Sequence, residues 1–133
     1  MLLRFTFFIG IILFTISCQE ENTGKCNGFC TEEFRSITVE ITDTQENPVV
    51  LDSISITDIT KERELEFNSE HQFEDGIYTI FNDNLVSSYK NQEIALLFRG
   101  YINDELIVEE TYQVGADCCH VYHSSGPLKI VLD

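Results

Sequence analysis

The segment Ile37-Thr38-Val39-Glu40-Ile41-Thr42 alternates apolar and polar side chains along its whole length. Successive side chains on a strand point to opposite faces, so Ile37, Val39 and Ile41 share one face and Thr38, Glu40 and Thr42 the other. That period of two predicts a half-buried β-strand. Asp43-Thr44-Gln45-Glu46-Asn47-Pro48 follows as a turn, because Asp and Asn bond their own backbone and Pro48 has no N–H to give a ladder.

The same signals recur outward from this strand. Val50, Ile54 and Ile56 continue as a second strand interrupted at Asp52, and Leu65 with Phe67 predicts a short third. Asp75-Gly76 reads as a turn. Ile77-Tyr78-Thr79-Ile80-Phe81 is β-branched and aromatic, which suits a pleated, half-buried surface. Asn82-Asp83-Asn84 breaks it, and residues 85–92 read as a loop or a single helical turn. Glu93 to Ile102 is the most apolar run beyond the N-terminus and predicts a central strand. Asn103-Asp104 is a two-residue hairpin turn into Leu106 to Val114. Gly115-Ala116-Asp117 ends that strand, Ser124-Ser125-Gly126-Pro127 is another turn, and Leu128, Ile130 and Leu132 make a closing strand. No segment carries a convincing helical period. The expected fold is all-β, a small antiparallel β-sandwich of about seven strands, with turns every ~8–12 residues.

The first hairpin, from Ile37 through Asp43 to Asn47-Pro48-Val49-Val50, resembles that of transthyretin-like and carboxypeptidase-regulatory-like sandwiches. Those domains share a strand, an Asp, a short turn and Pro-Val. Here Glu46-Asn47 stand where a Gly is usual, and Asp52 where a small apolar residue is usual. The resemblance covers about fifteen residues, and it implies a non-enzymatic, seven-stranded sandwich.

The N-terminus has a different character. Arg4 is the one charged residue among the first seventeen, and Phe5 to Ile16 is apolar apart from Thr6, Gly10 and Thr15. Twelve helical residues reach about 18 Å, short of the ~30 Å hydrocarbon core, so a signal segment is expected rather than a membrane span. Thr15-Ile16-Ser17-Cys18 resembles the lipobox of bacterial lipoproteins, with Thr15 where Leu is usual. Glu20-Glu21 resembles the acidic signal that sends Bacteroidota-type lipoproteins to the cell surface. The resemblance implies cleavage before Cys18, acylation of Cys18 with palmitate-type chains, and a lipid-anchored protein of the bacterial outer membrane. Its partners would be the bilayer, through Cys18, and a protein of the envelope. The expected organisation is a signal peptide over 1–17, a lipidated polar tether with the first cysteine pair over 18–33, and the sandwich over 34–133.

Charge narrows the function classes. The chain has 8 Lys and Arg against 23 Asp and Glu, a net charge of −15. Removing residues 1–17 takes away one Arg and no acid, which moves the net charge to −16. Such a surface repels nucleic acid and anionic membrane, since both need clustered cations.

Besides Cys18, four cysteines remain: Cys26, Cys30, Cys118 and Cys119. An even number in an exported domain predicts disulfides. Bonding Cys118 to its neighbour Cys119 would strain the peptide, so the N-terminal pair is expected to bond the C-terminal pair. Spacing does not choose between Cys26–Cys119 with Cys30–Cys118 and the reverse. The competing expectation is a zinc or copper site built from Cys26, Cys30, Cys118, Cys119, His120 and His123. As residues of neither kind, His120 and His123 would be ordinary surface or loop histidines. No catalytic residue is expected: the chain lacks a Gly-x-Ser-x-Gly elbow, a phosphate-binding glycine loop and a His-Glu-x-x-His helix. The sequence reading is therefore a non-catalytic binding or structural module with no cofactor. The alternatives are a metal-binding lipoprotein and an accessory subunit of an envelope complex. The default recognition surface is the stretch from Asn82 to Gln92.

Overall fold

The computed structural model describes Cys26, residues 28–66 and residues 76–133. The signal segment, Cys18, Phe67, His71 and Asp75 lie outside the described residues.

The chain folds as two sheets. The strands are β1 (Ser36–Asp43), β2 (Ser53–Asp58), β3 (Arg63–Glu64), β4 (Ile77–Asn82), β5 (Gln92–Ile102), β6 (Glu105–Ala116), β7 (Val121–Ser125) and β8 (Lys129–Leu132). A 3-10 turn (Asp83–Leu85) and one helical turn, α1 (Val86–Tyr89), join β4 to β5. The smaller sheet has the order β4-β1-β8 and the larger β3-β2-β5-β6-β7. All pairs are antiparallel except β1 with β8, which run parallel.

One apolar core lies between the sheets. The smaller sheet contributes Ile37, Val39, Ile41, Tyr78, Ile80 and Phe81; the larger contributes Ile56, Ile94, Leu96, Phe98, Tyr112 and Val114. The alternation of residues 37–41 is met residue for residue, since Ile37, Val39 and Ile41 are buried and Thr38 and Glu40 exposed. Tyr78 and Phe98 meet across the two sheets with ring centroids 6.3 Å apart. The disulfide-stapled, all-β sandwich expected from the sequence is the fold observed.

β5 is the central strand, and its register with β6 is set at the Asn103-Asp104 turn. Both residues have positive φ, 51° and 65°, the conformation of the two-residue turn whose twist matches a hairpin. Asp52, read as a strand breaker, lies just ahead of β2 and accepts the Asn103 N–H at 2.6 Å, so it pins that turn. Gly100 marks a register shift in the hairpin. A Cβ there would run into the Leu51 side chain and come within 2.7 Å of Val108, which explains a glycine inside a central strand.

Three features differ from the sequence expectation. There are eight strands: Val121–Ser125 forms β7, where the sequence reading placed no strand and began a turn at Ser124; its burial pattern has a single buried residue, Val121, too few to display a period. The short strand expected at Leu65 is instead Arg63–Glu64, with buried Leu65 just past it. The parallel β1–β8 pair joins strands from opposite ends of the described chain, and no local pattern encodes that.

Tyr78 ties the turn after β1 to the core. Its hydroxyl accepts the Leu51 N–H at 2.7 Å and donates to the Val49 carbonyl at 2.8 Å. Burial raises its pKa, against a smaller opposing effect of the Leu51 N–H. Tyr78→Phe leaves the Leu51 N–H buried without its acceptor. It should cost about 1–3 kcal/mol, read as a lower denaturant midpoint at unchanged m-value.

Candidate functional site

The turn between β6 and β7 decides how the cysteines meet. The Asp117 carboxylate accepts the backbone N–H of Cys119 at 2.6 Å and of His120 at 2.8 Å, and Asp117 N–H bonds His120 C=O at 3.0 Å. This is an Asx-type turn. The two amides, Cys119 first, hold the Asp117 carboxyl below the ordinary carboxylate range. In a strand, Cys118 and Cys119 would point to opposite faces. In this turn both reach the N-terminal segment. Cys26 bonds Cys118 and Cys30 bonds Cys119, with Cα separations of 5.2 and 5.3 Å. The structure thus selects one of the two pairings that the spacing left open. The Asn91 side chain lies 3.7 Å from both Cys26 Sγ and Cys118 Sγ.

The second part of the site is the Asp83 carboxylate. Asn82 caps the 3-10 turn by accepting the Asn84 N–H at 3.1 Å, which turns Asp83 toward the β6–β7 corner. Asp83 Oδ2 accepts the Arg35 N–H at 2.8 Å and His120 Nδ1–H at 2.7 Å, and Oδ1 accepts the Val121 N–H at 2.8 Å. The Asp83 N–H returns a bond to the Arg35 carbonyl at 3.0 Å. His120 Nε2 lies 2.8 Å from Thr31 Oγ1. An ionised carboxylate only accepts, so Nδ1 carries a proton toward Asp83, and Nε2 is left to bond the Thr31 hydroxyl. The His120 and Asp83 side chains are 9% and 10% exposed. Burial alone would raise the Asp83 pKa, but the bonds from His120, Arg35 and Val121 outweigh it and hold the group below its ordinary value.

Together these contacts form a clasp. Cys26 and residues 28–35 have no regular secondary structure and are fixed at Cys26, Cys30, Thr31 and Arg35. The fixing groups come from the β4–β5 connection and the β6–β7 turn. The polar tether assigned to 18–33 is therefore attached to the sandwich from Cys26 onward. His120, read as a surface or loop residue, is a buried hub, and Asp83, read as part of a simple turn, is its partner. The one sequence sign of this was Asp83 between two asparagines, which marked a turn but not its partner.

The six residues of the metal reading are each engaged in other bonds. The four cysteine sulfurs are held in disulfides, His120 faces Asp83 and Thr31, and His123 Nε2 lies 3.1 Å from the Gly126 carbonyl. Among the described residues no three His, Cys, Asp or Glu side chains are grouped to hold a metal ion. The stretch from Asn82 to Gln92 is tied inward by Asp83, buried Tyr89 and Asn91. Tyr89 donates its hydroxyl to the fully buried Asp58 at 2.9 Å and accepts Arg63 Nη2 at 3.0 Å. The sequence reading had missed this pair.

Comparison with protein-family models, with curated proteins and with solved structures finds no match.

The depressed Asp83 pKa has a definite sign. Its contribution to stability is fully present above the ordinary carboxylate value of 3.8 and is lost as pH falls from there through the lower folded-state value. Asp83→Asn should cost about 1–3 kcal/mol at pH 7, and its stability should fall less steeply than the parent's as the solution is acidified below pH 3.8. Denaturant titrations across the acid range read both effects.

Proposed function

We propose that the chain is a lipoprotein of the bacterial envelope, a non-catalytic binding or structural module anchored by acylated Cys18. The observation that carries this reading is that all four cysteines beyond the lipobox-like segment are joined in two disulfides. Disulfides persist in oxidising compartments outside the cytosol, which is where a cleaved and lipidated chain would be delivered. Several acyl chains, at about 0.8 kcal/mol per buried methylene, make a durable anchor.

The spacing adds a mechanical point. Cys26 lies eight positions after Cys18, and an extended chain covers at most ~3.3–3.6 Å per residue, so the first staple sits within about 29 Å of the acylated cysteine. The clasp would carry any pull on the anchor into the β6–β7 turn and the β4–β5 connection rather than into the first strand. The accessory-subunit reading is compatible with the same anchor and adds a protein partner.

The order hydroxyl, imidazole, carboxylate in Thr31, His120 and Asp83 is that of nucleophilic triads. In the non-catalytic reading it is a tie between chain segments, and Asp83 is spent on the Arg35 and Val121 amides as well.

Intact mass of the protein from the membrane fraction, before and after reduction and alkylation, tests the proposal. A diacyl or triacyl species beginning at Cys18, with four thiols appearing only on reduction, is the expected result. An unlipidated species, or four thiols released by a chelator, would contradict it. Exposure to a fluorophosphonate should leave Thr31 unlabelled; a stoichiometric adduct on Thr31 would replace the non-catalytic reading with acyl transfer.

A further inference from the structure

β8 ends the smaller sheet, and among the described residues no strand pairs with its far side. The other sheet ends differ. β3 is two residues long and both are charged and exposed. β7 meets its neighbour through a register shift and ends on exposed Ser124 and Ser125. β4 also borders a register shift. Such irregular, short or charged edges resist pairing with another chain. β8 is itself short, four residues beginning with exposed Lys129, but its ladder with β1 has no register shift, and Leu128 and Val131 are 45% and 54% exposed along it.

The ladder fixes which backbone groups face outward. Glu40 N–H bonds the Leu128 carbonyl, with Glu40 opposite Lys129 and Thr42 opposite Val131 in a parallel register. In a parallel ladder alternate residues of a strand bond the neighbour. Leu128, Ile130 and Leu132 therefore face β1, and Lys129 and Val131 direct their N–H and C=O groups to the open edge, with Asp133 the next position in that alternation, just past the strand. The side chains follow the same alternation: Ile130 and Leu132 pack against the core, while Lys129, Val131 and Asp133 are exposed.

This edge is complementary to itself. Laid antiparallel on a second copy and centred on Val131, it sets Val131 opposite Val131, Lys129 opposite Asp133, and Ile130 opposite Leu132. The outward positions 129, 131 and 133 then meet one another. Both charged positions pair with opposite sign, although the chain as a whole is strongly acidic. Within its own chain Lys129 lies 3.8 Å from Glu40, a half-exposed contact that continues the same charge row across the sheet. We infer that two copies of this chain associate through β8, joining their smaller sheets into one six-stranded sheet across a two-fold axis.

Charge exchange tests this on the full chain by sedimentation equilibrium in density-matched detergent. The parent should dimerise reversibly. Lys129→Glu alone sets Glu against Asp133 twice, and Asp133→Lys alone sets Lys against Lys129 twice. Each should weaken dimerisation about tenfold or more. An equimolar mixture of the two variants restores opposite charges at both positions and should recover dimers of near-parent affinity. Both substitutions lie on exposed positions, and circular dichroism checks that each variant is folded. A parent that stays monomeric at all concentrations overturns the proposal, as does a dimer indifferent to the charge changes or one the mixture does not recover.

Discussion

The Asp83 carboxylate is where the separate parts of this molecule meet. One group accepts the amide of Arg35 before β1, the amide of Val121 at the start of β7, and the imidazole of His120. Its own backbone belongs to the turn after β4. A nearly buried carboxylate is costly unless such donors surround it, and three are in place. The two disulfides bring those donors together. In the chain-entropy model a crosslink closing a loop of ~90 residues contributes about 4–5 kcal/mol, and the second, which closes a much smaller ring, adds less. The disulfides hold the N-terminal segment near the β6–β7 turn; the Asp83 bonds determine how it lies there.

The sandwich itself rests on ordinary burial. Both sheets present aromatic and β-branched side chains to one core, with Tyr78, Tyr89 and Tyr112 fully buried beside Phe81 and Phe98. Each of these tyrosines finds a hydrogen-bond partner for its hydroxyl, Val49 for Tyr78, Asp58 for Tyr89 and Pro127 for Tyr112. Buried phenols need such partners. Gly126, with φ of 112°, sits against the Tyr112 ring, so the turn into β8 depends on a residue without a side chain. The turn at 126–127 thus delivers the last strand to the smaller sheet beside β1.

Strands and tight turns were legible because they rest on local chemistry: alternation over 37–41, β-branched and aromatic residues over 77–81, positive φ at Asn103 and Asp104. The pairing of N-terminal with C-terminal cysteines was legible from adjacency alone. The choice of partner was not, because it depends on the Asp117 turn that rotates Cys118 and Cys119 to one side. β7 was invisible for lack of a period, and the parallel β1–β8 pair because its partners are some ninety positions apart in the chain. Asp83 read as part of a turn and His120 as a surface or loop residue, since a sequence shows that a group is polar but not that distant donors have gathered around it. The resemblance to lipoprotein signals concerns Cys18 and the residues about it, which lie outside the described residues, and it bears on the proposed address rather than on the architecture.

If the clasp is a unit fixed by the disulfides and read out at Asp83, its amides should report on it separately from the core. Hydrogen exchange of the full chain before and after reduction measures this. With the disulfides intact, the Arg35 and Val121 amides should exchange slowly. After reduction they should exchange far faster while the amides of the β5–β6 pair stay protected. Equal loss of protection across clasp and core would contradict the account by showing one indivisible unit, and unchanged protection at Arg35 and Val121 would contradict it by showing that the disulfides do not hold the clasp.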